Sequence, residues 1–480
     1  MTCLMSGTQL IRAEQPLNID WSNIPAQKNP YLDVPVLGSS QGLISQQQEK
    51  EIGEKVLREV RLQLATIQDP WLETEIQQIF SGIYAQTGLG QPIAVVLIKD
   101  LQINAFAVPG GLFAINAGTI VSAKNIDQLA GVMAHEIAHV SQRHYSRSME
   151  SIKGQGILAL VGLLAGLAVA TQSADAGAAV MMGSQAAMIG KRLSYSRDQE
   201  READRIGMQY MVLAGYDPNS MADFFEVMQR SSTQLSYLPE FWLTHPLTTS
   251  RMSEARLRAR QFNFNSKPDY ARQQRFELIK WRTLISSSNP NLTQLNIAAQ
   301  NNSAAALALA SYHIQQAQYQ QAKKILDKIQ PSEVQKNLYH LIWSDWYKSQ
   351  NQFDQALVEI FSDYQIAPEN KALAMQVAEI YILKNQPEQA NQILNPLSTR
   401  FPRDVMVWQL LQRAANLQTG IIREINVLRY RAEVQFWNGQ EVNAIKSLLQ
   451  AQRLAKDQPA LKARIDQRVA QMQDAHDLDS

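Results

Sequence analysis

The chain has 480 residues, 45% of them hydrophobic and 19% charged, a folding composition with room for about three domains. Lys and Arg number 45 and Asp and Glu 44, a net charge of +1, which gives no support to nucleic-acid binding through bulk positive charge. Cys3 is the single cysteine, so an intramolecular disulfide and a cysteine-based zinc site are excluded.

Residues 1–44 carry Pro16, Pro25, Pro30 and Pro35 in a polar stretch and read as an extended arm. Met1–Gly7 is a short apolar stub where an export signal needs a longer apolar core, and the remnant of a signal peptide is one reading of it. From Ser45, Ile52, Val56, Val60 and Leu64 recur at four-residue steps and predict a helix. Pro92–Lys99 predicts a buried strand. Asn104–Pro109 and Leu112–Val121 predict two more, joined by a tight turn at Gly110-Gly111. Residues 126–149 predict a helix.

Gly154–Gly190 has Asp175 as its only charge. Its apolar run Gly156–Ala170 falls short of the roughly 20 residues that a spanning helix needs. With the polar break Thr171–Gly177, the span reads as a hairpin of two apolar helices. It is either part of the core, or a contact with membrane or a plug beside a functional site. Residues 251–282 hold nine basic residues against three acidic ones, which reads as a solvated helix face, with anionic lipid head groups as the alternative contact.

The second half repeats. Ala322, Ala356 and Ala390 are 34 residues apart, and Ala310, Ser344 and Ala378 each lie twelve residues before them. Pro368 and Pro402 follow the second and third copies, with Pro331 offset in the first. Ala432 and Ala444 mark a fourth copy displaced by about 20 residues. Small residues at helix crossings with this period are the tetratricopeptide signature.

The chemistry centres on His135-Glu136-Ile137-Ala138-His139. On a helix the two histidines lie one turn apart on one face, so both imidazoles can bind one metal ion, and Glu136 can take a proton from water beside it. A catalytic zinc takes a third protein ligand, and Ser194–Gly207 offers Glu200 and Glu202. Glu200 shares a helix face with Ala203, Asp204 and Gly207, whose small residues permit close packing, so Glu200 is the expected ligand. Asp204, one turn on, is placed to orient a ligating histidine, or simply to pair with nearby arginines. His144 lies about 140° past His139 on a continuous helix and is expected to face away from the metal. His245 is the spare imidazole of this half, open to being a fourth ligand, a transition-state stabiliser or a plain loop residue. Arg251 follows it and could pair with Glu136 or an oxyanion.

His135–His139, the following Arg143-His144, the upstream Asn104–Gly111 and the run Ser196–Asp204 resemble one zinc metallopeptidase family, which includes the prenyl-protein endopeptidases and the HtpX-type quality-control proteases. The catalytic resemblance covers residues 45–265 and the repeat resemblance residues 303–478. In that family the first glutamate of Glu-x-x-Ala-Asp is the third zinc ligand, which implies Glu200 here. With the added repeats, the resemblance implies a periplasmic enzyme that acts on misfolded or stalled outer-membrane proteins and meets the outer-membrane assembly machinery.

The expected fold class is therefore α+β: a mainly helical metallopeptidase with a small sheet (45–265), a helical connector (266–302), and an α-solenoid of repeats (303–478). The expected activity is zinc-dependent endopeptidase with one zinc per chain. Asn104, Ala105 and Phe106 are expected to hold substrate as an added strand, and the repeats to bind partner or substrate proteins. Peripheral membrane contact is an open expectation. A chaperone or assembly scaffold with a mostly latent peptidase is the alternative. Because solenoids contact mainly their neighbours, residues 303–480 are expected to be removable without unfolding the catalytic half.

Overall fold

The computed structural model describes residues 45–145, 195–233, 245–262, 264, 269–288 and 290–477. The arm 1–44 and the apolar hairpin 154–190 lie outside the described residues. Among the described residues, no helix is long and apolar enough to cross a membrane.

Helix α1 (Gln46–Gln63) opens on a capping box in which the Ser45 hydroxyl accepts from Gln48 N–H and the Gln48 side chain accepts from Ser45 N–H. Helix α2 (Pro70–Tyr84) starts with Pro70 in its first turn and Asp69 as cap. Strands β1 (Ala94–Ile98), β2 (Ala105–Val108) and β3 (Leu112–Asn116) form one sheet in the order β1-β3-β2. β1 runs parallel to β3, and β2 antiparallel, with Ala105 opposite Ile115 and Val108 opposite Leu112. Gly110 and Gly111 turn the hairpin with φ of +82° and +83°. A Cβ on Gly110 would lie 2.3 Å from the Glu49 carbonyl oxygen, so this turn also admits α1.

The third expected strand is only half a strand. After Asn116 the chain forms helix α3 (Ala117–Ser122). Tertiary contacts override the β-branched Ile120-Val121. Gly118 packs where a Cβ would meet the Leu101 carbonyl oxygen at 2.1 Å, and the Thr119 hydroxyl donates to Asn104 C=O and accepts from Asn104 N–H. Helix α4 (Ile126–Ser141) is also shorter than expected, because the chain leaves it at Gln142 and Arg143 turns left-handed at φ +50°.

Helices α5 (Arg197–Leu213), α6 (Asn219–Thr233), α7 (Thr249–Gln261) and α8 (Tyr270–Ser286) complete this half. The basic run of 251–282 is not simply a solvated face. Arg256 pairs with Asp223 and Glu226, Arg272 with Asp127, Arg275 with Glu75 and Arg282 with Asp69, so the run ties helices together.

Helix α9 (Leu292–Ala298) leads into the repeats: α10 (Ser303–Gln315), α11 (Tyr319–Leu326), α12 (Lys336–Lys348), α13 (Phe353–Ile366), α14 (Lys371–Leu383), α15 (Pro387–Arg400), α16 (Val405–Asn416), α17 (Gly420–Trp437), α18 (Glu441–Leu454) and α19 (Pro459–Asp477). Each small residue of the periodic pattern, from Ala310 and Ala322 to Ala432 and Ala444, is fully buried at a helix crossing. The turns inside the pairs share one left-handed residue: Ala317, Asn351, Asn385 and Gly439, at φ of 56°, 60°, 57° and 76°. The first three keep the 34-residue step, and α16 occupies the insertion before the fourth copy.

The solenoid contacts more than its neighbours. Ile52, Val56, Leu57 and Val60 of α1 and Val96, Val108 and Leu112 of the sheet share one apolar cluster with Phe436, Trp437, Leu448, Ile465, Val469 and Met472. Arg58 pairs with Glu441, Arg403 with Glu54, and Lys371 with Glu73. The last repeat helices therefore share one apolar core with α1 and the sheet, where the repeats were expected to contact mainly their neighbours.

Candidate metal centre

Helix α4 is apolar on nearly every side, with Leu129, Ala130, Met133, Ala134, Ile137 and Ala138 buried. A helix buried all round can carry polar side chains only where they find partners. Its partners come from α5, which Ser196 and Gln199 start with a second capping box. A Cβ on Gly207 would sit 3.0 Å from the Ala134 carbonyl oxygen, so a glycine lets α5 lie directly against the turn that carries His135.

Four donors converge there. His135 Nε2 lies 3.0 Å from His139 Nε2 and 3.4 Å from His245 Nδ1. Glu200 Oε1 lies 2.9 Å from His245 Nδ1 and 3.4 Å from His139 Nε2. Ligand atoms of His135, His139, Glu200 and His245 all fall within 4.8 Å of one another, and all four residues are buried. Glu202 stands outside this group.

The surroundings assign the proton positions. Asp204 Oδ1 lies 2.9 Å from His135 Nδ1 and can only accept, so the proton of a neutral His135 sits on Nδ1 and its Nε2 lone pair faces His139 and Glu200. Converging imidazole lone pairs and a carboxylate repel one another unless a cation lies between them. Three imidazole nitrogens and one carboxylate form a donor set that zinc takes. The residues present fit the metal.

Arg251 compensates the acids. Its Nε donates to Asp204 Oδ2 at 2.6 Å and its Nη2 to Asp204 Oδ1 at 2.8 Å, it pairs with Glu200, and it stacks on Phe225 at 4.9 Å. The guanidinium thus serves Asp204 and Glu200, where the sequence had suggested Glu136 or an oxyanion. Burial alone would raise both acids, but Arg251 and the histidines beside them together outweigh it and hold Asp204 below, and Glu200 well below, the usual carboxylate range. Burial also acts against a charged His135, but its bonds to Asp204 and Glu200 lift it to about 9.

Glu136 differs from its neighbours. It is 3% exposed, and neither carboxylate oxygen has a hydrogen-bond partner among the described residues. Burial pushes its pKa up. His245 Nε2 lies 3.6 Å from Oε1.

Two residues of this region were not anticipated. His144 is fully buried, with Nδ1 2.9 Å from His139 Nδ1 and Nε2 3.0 Å from Glu202 Oε2. The helical angle that sent it away does not apply past Ser141. Tyr195 stacks on His139 at 3.9 Å between ring centres, a contact no spacing in the sequence signals.

Of the expected substrate residues, Ala105 and Phe106 lie in β2, an edge strand among the described residues, while Asn104 precedes it. Thr119 and Asn116 already engage the Asn104 backbone, so an added strand has Ala105–Val108 to pair with.

Residues 68–259 match peptidase family M48, and residues 348–414 match a tetratricopeptide repeat. Over 461 residues the chain is 31% identical to the beta-barrel assembly-enhancing protease of Escherichia coli (strain K12), covering 93% of each. The chain belongs to peptidase family M48. It is 31% identical to the protein of the same name from Yersinia pestis over 450 residues, 92% of this chain and 91% of that one. The mitochondrial metalloendopeptidase OMA1 of Schizosaccharomyces pombe is 30% identical over 178 residues, 37% of this chain and 50% of that one. As an M48 member the chain is a metalloendopeptidase with tetratricopeptide repeats, and its buried His–His–Glu–His group can hold one metal ion, in keeping with zinc.

Proposed function

We propose that the protein is a zinc endopeptidase that acts on misfolded or stalled outer-membrane β-barrel proteins in the periplasm, with repeats that bind substrate or assembly partners. His135, His139 and Glu200 hold the metal. Bound zinc supplies Lewis acidity at the scissile carbonyl. Glu136 takes a proton from the attacking water and returns it to the leaving amine. The observation that carries this reading is the Glu136 carboxylate, buried beside the donor cluster with no hydrogen-bond partner among the described residues. Its raised pKa brings the base nearer to neutral pH, where proton transfer in both directions is efficient. Asp204 and Arg251 fix the orientation of His135, and the outer edge of β2, unpaired by any strand among the described residues, takes an extended substrate. The name of the Escherichia coli relative, a beta-barrel assembly-enhancing protease, supports the β-barrel assignment.

The test is casein cleavage by the pure protein with metal analysis. Glu136→Gln should keep one zinc per chain and lose about 10²–10⁴ of the activity. Unchanged cleavage would sink the assignment.

One observation favours a second reading, an assembly scaffold with a mostly latent peptidase. His245 places Nδ1 in the donor cluster and Nε2 toward Glu136. As a fourth ligand it occupies the place where water enters; as a transition-state stabiliser it leaves that place open. Outer-membrane assembly supported in cells by the Glu136→Gln protein would favour the scaffold.

A further inference from the structure

Each helix histidine has a nitrogen that faces away from the donor cluster, and α5 reaches both. For His135 the contact is direct, through Asp204. For His139 it passes through a second imidazole. His139 Nε2 faces His135 Nε2 at 3.0 Å, so Nδ1 is its rear nitrogen, and His144 Nδ1 lies 2.9 Å from it. His144 Nε2 lies 3.0 Å from Glu202 Oε2.

We propose that His144 and Glu202 are a positioning pair that locks His139 with its proton on Nδ1 and its lone pair on Nε2, and so sets how tightly the metal is held. The argument is proton counting along one line. A carboxylate can only accept, so the proton of a neutral His144 sits on Nε2 and points at Glu202. His144 Nδ1 is then a lone pair and must accept. His139 Nδ1 therefore donates, which leaves Nε2 bare toward His135 and Glu200. A rear partner of this kind fixes the tautomer, aims the ring and raises the basicity of the ligand.

The backbone is built for the contact. Arg143 adopts φ +50°, which folds the chain back after α4, and its guanidinium is held by Glu49 of α1 at 2.7 Å. Gln199 of α5 donates to the His144 carbonyl at 3.2 Å. Three acids of α5 thus have distinct places: Glu200 among the donors, Asp204 behind His135, and Glu202 behind His139 through His144.

This inference rests on His139 as a ligand, and the experiment separates the two. Zinc release from the full-length protein to a chelator is measured for each variant, with the cobalt(II) visible spectrum and the melting temperature of the metal-free form. His144→Leu should weaken metal binding about 10–100-fold and shift the cobalt band. His144→Asn, whose amide oxygen can accept from His139 Nδ1, should restore most of the affinity. Glu202→Ala, at a side chain 28% exposed, should fall between them. The metal-free melting temperature should not move. His144→Leu that holds zinc as tightly as the parent overturns the proposal. So does His144→Asn that loses as much affinity as His144→Leu while metal-free melting falls, since that pattern is lost packing. His139→Ala that keeps stoichiometric zinc would instead overturn the ligand assignment.

Discussion

In the metal-free protein, removing the Arg251 guanidinium would leave Asp204 and Glu200 buried with only imidazoles to offset them. Breaking a buried pair from one side costs about 3–5 kcal/mol, because the remaining charge has lost its solvent and its partner. Arg251→Leu should show a loss of that size in urea unfolding of the metal-free protein; a loss below about 1 kcal/mol, the scale of an exposed pair, would mean the acids are solvated. His245 lends itself to a second test. His245→Ala, with zinc retained, should raise casein cleavage if the imidazole blocks the open position; a fall would assign it to the transition state. The parts of this region legible in the sequence share a single helix: His135 with His139, and Glu200 with Asp204. What stayed hidden runs between elements. Arg251 was a candidate, but its partners lie across from α7 on α5, and His144 reaches back after a left-handed residue, so no fixed spacing announces either contact.

Among elements, the approach of α5 to α4 turns on Gly207. An added methyl would press on the Ala134 carbonyl and the His135 amide, backbone atoms of a helix that cannot give way locally. Gly207→Ala should therefore destabilise by about 1–3 kcal/mol and weaken metal binding. Gly82 is exposed on α2 with nothing within 4 Å of its Cβ position. There the same substitution should stabilise by about 0.5–1 kcal/mol through helix propensity alone. Thermal melting of the two variants should move in opposite directions. Helices with a strong period were readable, as the four-residue steps of α1 and the 34-residue step of the repeats show. Val121 and Ile120 misled because propensity favours a strand, whereas Gly118 and Thr119 dock on residues 101–104, and docking decides.

For the molecule as a whole, the shared cluster makes a definite prediction about truncation. A chain ending near residue 302 would expose Ile52, Val56, Leu57 and Val60 together, and should be insoluble or melt well below the full-length protein. A monomeric, zinc-loaded fragment of parental stability would refute this. The same interface holds a pH-dependent group. Glu73 meets Lys371 at 2.5 Å, with Asp404 on the other side of the ammonium and Arg61 nearby. Burial pushes Glu73 from its ordinary 4.5 up to about 7, against the pull of Lys371. A carboxyl raised on folding gains a proton between those values. Its contribution to stability is complete below pH 4.5 and is lost as pH rises through 7. Glu73→Gln should flatten this fall, read as the urea midpoint at pH 5 and pH 8.

Val56 and Val469 sit in that one cluster although about 400 residues of chain separate them. A ribosome adding 5–20 residues per second needs on the order of 20–80 s to pass from one to the other. For that interval the apolar stripe of α1 has been made and its cover has not. The first helix of the described chain is among the last to be buried, and a chaperone that shields it during synthesis would have a defined segment, Ile52–Val60, to hold.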